Sequence, residues 1–168
     1  VGLYFHSKTE MKRLLIFFCA TLLCGITTAA DINGTGSLTE HTFHHKGVEY
    51  TYYLYLPKDL AADAPLLMVF HGYNSKNIPS IPYGFQPVAD REGFAICYPR
   101  GPKDHKGKPY WYVGYQFHIE NGGERDDVGF AVRLAKHLQR EYRLSEDNIF
   151  ATGHSNGGAM SYMLAYEA

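Results

Sequence analysis

The pentapeptide Gly153-His154-Ser155-Asn156-Gly157 constrains this chain more than any other feature. Immediately before it, Ile149-Phe150-Ala151-Thr152 has the composition of a short buried strand. Immediately after it, Met160, Met163 and Leu164 recur at helical steps, so a helix is expected from Asn156 onward. A strand that becomes a helix across so few residues must bend sharply, and the residue at the apex takes a strained backbone. Its neighbours two positions away must then lack bulky side chains, and Gly153 and Gly157 meet that need. Such a turn lifts the Ser155 hydroxyl above the sheet end and aims the following helix N-terminus at it. Negative charge developing on a tetrahedral intermediate meets that helix end. Ser155 is therefore the candidate nucleophile. Gly158 is expected to let the helix pack closely on the neighbouring strand.

The segments upstream alternate between strand and helix. Leu66-Leu67-Met68-Val69-Phe70 is a continuous apolar run, as in a strand buried on both faces, and it ends at His71-Gly72. Residues 85–91 form a short helix candidate closed by Gly93. Phe94-Ala95-Ile96-Cys97-Tyr98 is a second buried strand stopped by Pro99. Residues 101–123 are polar and rich in Gly and Pro, and read as one long loop of the kind that carries function. Residues 126–142 are the clearest helix. Val128, Ala131, Val132, Ala135, Leu138 and Tyr142 line one face, with Arg133, Lys136, Arg140 and Glu141 on the other. Asp126 and Asp127 stand at its start, where the helix dipole favours negative charge, which gives them a structural role. Residues 35–45 and Tyr50-Thr51-Tyr52-Tyr53-Leu54-Tyr55-Leu56 would form an antiparallel hairpin at the sheet edge. His41, His44 and His45 lie there and read as a solvated strand or turn rather than a metal site. The alternation implies βαβ units and a mostly parallel sheet flanked by helices, an α/β fold.

A tetrahedral intermediate needs two backbone N–H donors. One is expected from the residue after the nucleophile, Asn156, and the other from the loop after an earlier buried strand. His71-Gly72-Tyr73 is that loop. Gly72 permits a tight backbone and Tyr73 is the candidate donor. His71 belongs to this loop and is not expected to be the base, and His154 is expected to line the site.

Met11, the first methionine, opens a positive segment at Lys12-Arg13, a thirteen-residue apolar run at 14–26 and the small residues Thr27-Thr28-Ala29-Ala30. That order is a secretory signal peptide over 11–30, so a secreted or periplasmic protein is expected. The apolar run is shorter than the roughly twenty residues a membrane-spanning helix needs. No stable membrane association is expected after signal cleavage. Residues 1–10 precede the signal and are set apart from the fold. Cys19 and Cys24 fall within the signal. Cys97 then stays as the lone cysteine, in an apolar run that favours a buried free thiol over half of a disulfide whose partner is absent. Sixteen basic and seventeen acidic residues are interspersed for a net charge of −1, so no basic stripe exists to bind nucleic acid.

The run Ala151-Thr152-Gly153-His154-Ser155-Asn156-Gly157-Gly158-Ala159-Met160 resembles the nucleophile elbow of the polyhydroxybutyrate depolymerase-like esterases. That α/β-hydrolase family also takes in feruloyl and acetylxylan esterases. Leu67-Met68-Val69-Phe70-His71-Gly72 and Asp126-Asp127-Val128-Gly129-Phe130 resemble its oxyanion strand and the helix before its elbow. Tyr98-Pro99-Arg100-Gly101 resembles its next strand end, where the family often has Asp in place of Arg100. The resemblance covers most of residues 50–168. It implies the N-terminal part of an α/β-hydrolase fold and a secreted serine esterase working through an acyl-enzyme on Ser155, with no metal and no cofactor. Export suits a polymeric ester substrate, either a plant polysaccharide ester or a polyester. Tyr110, Trp111, Tyr112 and Tyr115 either stack on that substrate or cover the sheet end. A serine peptidase of the same fold is one alternative, although it would be expected to carry a propeller domain for which the N-terminus has no room. A non-catalytic binding protein on the same scaffold is another, although such a protein usually loses the nucleophile.

A serine hydroxyl needs a histidine to take its proton and an acid to orient that histidine, and in this fold both follow the serine along the chain. Thirteen residues follow Ser155; they include Glu167 but no histidine, and all nine histidines precede it. Residues 31–168 are therefore expected to be a partial catalytic domain with an exposed sheet edge. Loss of a triad member costs several powers of ten. The 168-residue polypeptide is thus expected to hydrolyse p-nitrophenyl acetate no faster than its Ser155→Ala variant. Turnover typical of an intact esterase, abolished by Ser155→Ala, would contradict this.

Overall fold

Tyr50, Tyr52 and Leu54 pack on one side of a sheet while Tyr53 and Tyr55 pack on the other, so both faces of the sheet are covered. The structure, a computed structural model, describes residues 2–5, 34–76 and 83–167. Along the chain run β1 (Gly2–Phe5), β2 (Ser37–His45), β3 (Val48–Leu56), β4 (Leu66–Phe70), α1 (Phe85–Glu92), β5 (Ala95–Arg100), α2 (Gln116–Gly122), α3 (Asp127–Tyr142), β6 (Ile149–Gly153) and α4 (Asn156–Glu167). The six strands form one sheet in the order β1-β6-β4-β5-β3-β2. Its centre is parallel, with β5 and β6 on either side of β4. The expected antiparallel hairpin β2–β3 forms at the sheet edge, and β3 joins it to β5, also antiparallel.

On one face α3 and α4 bury Phe130, Leu134, Leu138, Met160 and Leu164 against Leu66, Met68, Phe70 and Ala151. On the other, Ala89 of α1 packs with Val69, Ile96 and Tyr98. Alternate residues of β4 and β5 thus feed opposite layers, which explains their unbroken apolar sequence. Cys97 is a free thiol in the first layer, and burial pushes its pKa up. The chain passes from β4 to β5 on one side and then to β6 on the other side of β4. Such a reversal opens a crevice at the carboxyl ends of the two strands that flank it.

Several elements depart from the sequence expectation. β5 runs through Pro99 instead of stopping there. Its pairing with β4 ends at Cys97, and Pro99 faces only Tyr52 of β3, so the missing N–H falls where one neighbour is already absent. Residues 101–123 are not all loop, because α2 lies within them. Only His118 of that helix is buried, so no apolar stripe announces it. Residues 1–10, set apart from the fold on sequence, contribute β1, which pairs antiparallel with β6 from Gly2↔Thr152 to Phe5↔Ile149. The free edge of β6 offers a row of backbone donors and acceptors that a short extended segment can satisfy. Residues 11–30, the expected signal, lie outside the described residues. No helix among the described residues is long and apolar enough to cross a membrane.

The three clustered histidines have separate partners. His41 stacks on Tyr52 at 5.1 Å between ring centroids, and exposed His44 pairs with Glu49. His45 is buried rather than solvated, and its Nε2 lies 2.8 Å from Asp126 Oδ2. Lys46 and His45 together hold the Asp126 carboxyl down to about 2. Asp126 also accepts from Gly129 N–H at 2.9 Å, so it caps α3 from just outside it. The hairpin is thereby tied to the start of α3. Asp127, the first helical residue, is buried and accepts from Tyr50 Oη (2.7 Å), Tyr112 N–H (2.6 Å) and Arg125 Nη2 (3.0 Å). One carboxylate thus joins β3, the long connection and α3. Asp127→Asn leaves Arg125, nearly as buried, without its counter-charge. Breaking a buried pair in this way costs about 3–5 kcal/mol. Urea denaturation is expected to show a loss of that order, and an unchanged midpoint would refute the assignment.

Candidate active site

Ser155 has φ +53°, in the left-handed region that costs a side-chain-bearing residue about 1–3 kcal/mol. The local geometry explains why it is held there. A Cβ on Gly157 would run into the backbone of Phe70 and lie 2.6 Å from His71 O, and a Cβ on Gly153 would lie 2.7 Å from Phe70 O. Both glycines are therefore required by the carboxyl end of β4. The closest approach falls at Gly157, while a Cβ on Gly158 would also be tight, 3.3 Å from Gly153 O of β6. The turn is closed by His154 N–H donating to Phe70 O (3.3 Å) and Gly157 N–H to His154 O (2.9 Å). Ala159 N–H to Ser155 O (3.0 Å) then begins α4. Ser155 is exposed at the apex, with α4 starting at the next residue.

The loop after β4 touches this turn. A Cβ on Gly72 would lie 3.1 Å from His154 Nδ1 and 3.6 Å from Ser155 Cβ. Tyr73 follows directly. The structure thus brings Ser155, Asn156, Gly72 and Tyr73 to one end of the sheet, in the crevice made by the reversal at β4. Neither Tyr73 N–H nor Asn156 N–H has a hydrogen-bond acceptor among the described residues. Ser155 Oγ likewise has no hydrogen-bond partner among them.

His71 is buried and fully engaged. Its Nε2 accepts from Gly101 N–H at 2.9 Å, so the ring proton sits on Nδ1, which donates to Gly72 O at 2.7 Å. Burial, reinforced by the positive charge of Arg100, lowers its pKa to about 4 despite the bond to Gly72. It is a neutral tie between the β4 loop and the end of β5.

The aromatic residues of 101–123 divide between the two roles that sequence leaves open. Trp111 is fully buried, stands edge-on to Phe70 and donates from Nε1 to His71 O at 3.1 Å. Tyr110 is buried under the Arg125 guanidinium, 4.0 Å from its ring centroid. Tyr112 is half-buried, whereas Tyr115 is exposed. Beside it, exposed Phe117 of α2 meets the Tyr73 ring edge-on at 5.9 Å.

Two side chains that sequence does not single out shape the site. Asn156 is buried, and its amide takes both backbone groups of Trp111, accepting from N–H at 2.8 Å and donating to C=O at 3.0 Å. Asp104 accepts from Tyr73 Oη at 2.7 Å. Its sequence signal is the Asp104-x-x-Gly107 turn, which is too common to mark a site without its distant partner. Among the described residues no group of three or more metal-ligating side chains converges.

A sequence profile of the family described as esterase PHB depolymerase matches residues 50–168. Probable acetylxylan esterase A of Aspergillus clavatus is 26% identical over 161 residues, which are 90% of this chain and 50% of that protein. A bifunctional acetylxylan esterase/xylanase of Neocallimastix patriciarum is 27% identical over 111 residues, 66% of this chain and 15% of that protein. Among solved structures, the acetyl xylan esterase from Aspergillus awamori superposes with a TM-score of 0.59 at 24% identity, covering 77% of this chain and 47% of that one. The chain thus spans half or less of the length of these relatives. With the profile covering most of the chain and the architecture shared, the protein belongs to the PHB depolymerase esterase family of α/β-hydrolases.

Proposed function

We propose that Ser155 is the nucleophile of an exported serine esterase that removes acyl groups from a polymeric, polysaccharide-linked substrate. The observation that carries this reading is the strained backbone of Ser155 between two glycines that β4 will not allow to be anything else. The turn sets the positive φ, and what it holds there is an exposed hydroxyl at the start of α4, the placement a nucleophile needs. In this reading Ser155 Oγ attacks the ester carbonyl carbon. The carbonyl oxygen, now an oxyanion, accepts from Asn156 N–H and Tyr73 N–H, which lack other acceptors among the described residues. The C–O bond to the alcohol breaks, the alcohol leaves with a proton, and water then hydrolyses the acyl-enzyme.

The proton must pass through a general base. His71 is unsuited, since both its nitrogens are committed and it faces backbone partners. No other histidine among the described residues is hydrogen-bonded to Ser155. The base and the acid that orients it are therefore assigned to parts of the enzyme outside the described residues, in keeping with the greater length of the relatives. Export rests on the signal-like segment 11–30. The names of the relatives favour an acetylated xylan over feruloyl or hydroxyalkanoate esters. Exposed Tyr115 and Phe117 are better placed to meet a bound polymer than Trp111, which is core.

In the enzyme with its base and acid present, Ser155→Ala is expected to lower ester hydrolysis by about a thousandfold or more. Of acetylated xylan, feruloylated oligosaccharide and poly-3-hydroxybutyrate, the first is expected to be the best substrate by released acid. Retention of activity in Ser155→Ala would remove the nucleophile assignment, and preference for another substrate would replace the polysaccharide acetate.

His71 gives a separate test. Its folded pKa, about 4, lies below the ordinary value of 6.5, so between these limits the unfolded chain binds a proton that the folded chain does not. Its contribution is full above pH ~6.5 and is lost as pH falls toward 4, with a slope of up to about 1.4 kcal/mol per pH unit. Urea midpoints at pH 7 and pH 5 should therefore differ more in the wild type than in His71→Asn. Equal pH dependence in the two would show that His71 does not stay neutral.

A further inference from the structure

We propose that Asp104 is a positioning residue for the oxyanion site, acting through the Tyr73 side chain; this rests on the reading of Tyr73 as a backbone donor. A backbone N–H that must be free for a transient charge cannot be aimed by a hydrogen bond of its own. Its direction has to be set by bonds on either side of it. For Tyr73 those bonds are present. Its hydroxyl donates to Asp104 Oδ2 at 2.7 Å, and the next residue, Asn74, donates from N–H to Pro109 O at 2.9 Å. On the preceding side Gly72 O accepts from His71 Nδ1. The peptide that carries the Tyr73 N–H is therefore pinned before, beside and after.

Asp104 is itself well fixed. Its Oδ1 accepts from Lys106 N–H (2.8 Å) and Lys108 N–H (2.9 Å), and its own N–H donates to Lys108 O (2.9 Å). Lys103 and Pro109 bridge across the base of this turn. The carboxylate is buried. Burial opposes its charge, but the backbone donors and the Tyr73 hydroxyl outweigh it and hold the pKa below the usual range. The bond from Tyr73 is thus made to a charged acceptor, roughly twice as strong as a neutral one. The same stretch of chain continues to Trp111, whose backbone pairs with the Asn156 amide. Residues 101–111 therefore hold the loop that carries Tyr73 at one end and Asn156 at the other. The spacing between the two donors is set by this stretch, and Asp104 is its attachment to Tyr73.

Tyr73→Phe keeps the ring and backbone and removes only the hydroxyl, so it tests the tie. It is expected to lower kcat about tenfold, less than the hundredfold or more that loss of a donor costs, with KM within twofold. Asp104→Ala should do the same, the double variant should be no worse than Asp104→Ala, and Asp104→Asn, which keeps an acceptor oxygen, should recover most of the activity. Amide hydrogen exchange at Asn74 should quicken about tenfold or more in Tyr73→Phe, with β2 and β3 unchanged, a readout that needs no turnover. A Tyr73→Phe kcat within twofold of wild type, a loss confined to KM, additive losses in the double variant, or unchanged exchange at Asn74 would each overturn the proposal. An intact wild-type enzyme that hydrolyses no ester would instead refute the esterase reading, and the exchange experiment would still decide whether Asp104 holds the loop.

Discussion

The carbonyl of Phe70 is the point on which the site depends. It ends β4, accepts from His154 N–H, and occupies the space in which a side chain on Gly153 or Gly157 would have to sit. The backbones approach that closely because Gly153 and Gly157 carry no Cβ. The approach forces the chain to leave β6 and enter α4 within two residues, which puts Ser155 at positive φ. The strain is small beside what opposes it. β6 pairs with β4 along its whole length, from Leu66↔Ile149 to Phe70↔Gly153, and α4 buries Met160 and Leu164 in the core. A residue over-determined in this way can stay in a costly conformation without loosening the fold.

The same contact brings the β4 loop against the elbow, so the candidate donors are neighbours because the two strands are neighbours. What keeps them in a fixed relation is the chain between β5 and α3. It threads past the sheet end and bonds to His71, Tyr73 and Asn156 in turn through Gly101, Asp104 and Trp111. Asp127 then anchors its far side through Tyr112 N–H and Arg125. The bonds at His71 and Asn156 are buried and the others partly buried, and leaving a buried polar group unpaired costs more than pairing it gains. A connection that resembles a loop in composition is consequently held by polar geometry rather than by an apolar stripe.

That distinction decides what was legible in the sequence. The elbow could be read because its demand is local: two glycines, one serine, a strand before and a helix after. β4, α3 and α4 could be read because their apolar periods are strong. Pro99 was misleading because its tolerance depends on β4 ending its pairing at Cys97, a fact about register and not about Pro99. α2 was hidden because only one of its residues is buried. Asn156 was read for its backbone alone, since nothing in its neighbours shows that its amide meets Trp111, 45 positions away. Asp104 pairs across 31 positions and His45 across 81. A polar side chain with a distant partner looks, in sequence, like a polar side chain in solvent.

His71 shows how the same burial shapes chemistry. It stands beside the β4 loop, yet the fold spends both its nitrogens on backbone groups and keeps it uncharged over the neutral range. A free imidazole there could compete for the proton of Ser155 or carry a charge that shifts with pH. Committed as it is, it fixes Gly72 and Gly101. In the esterase reading this separates two tasks. Charge stabilisation comes from backbone N–H groups of the loop after β4 and of the start of α4, while proton transfer falls to a side chain that must be free to change its protonation. A group that has to titrate near neutral pH cannot be buried as His71 is, because desolvation would hold it neutral.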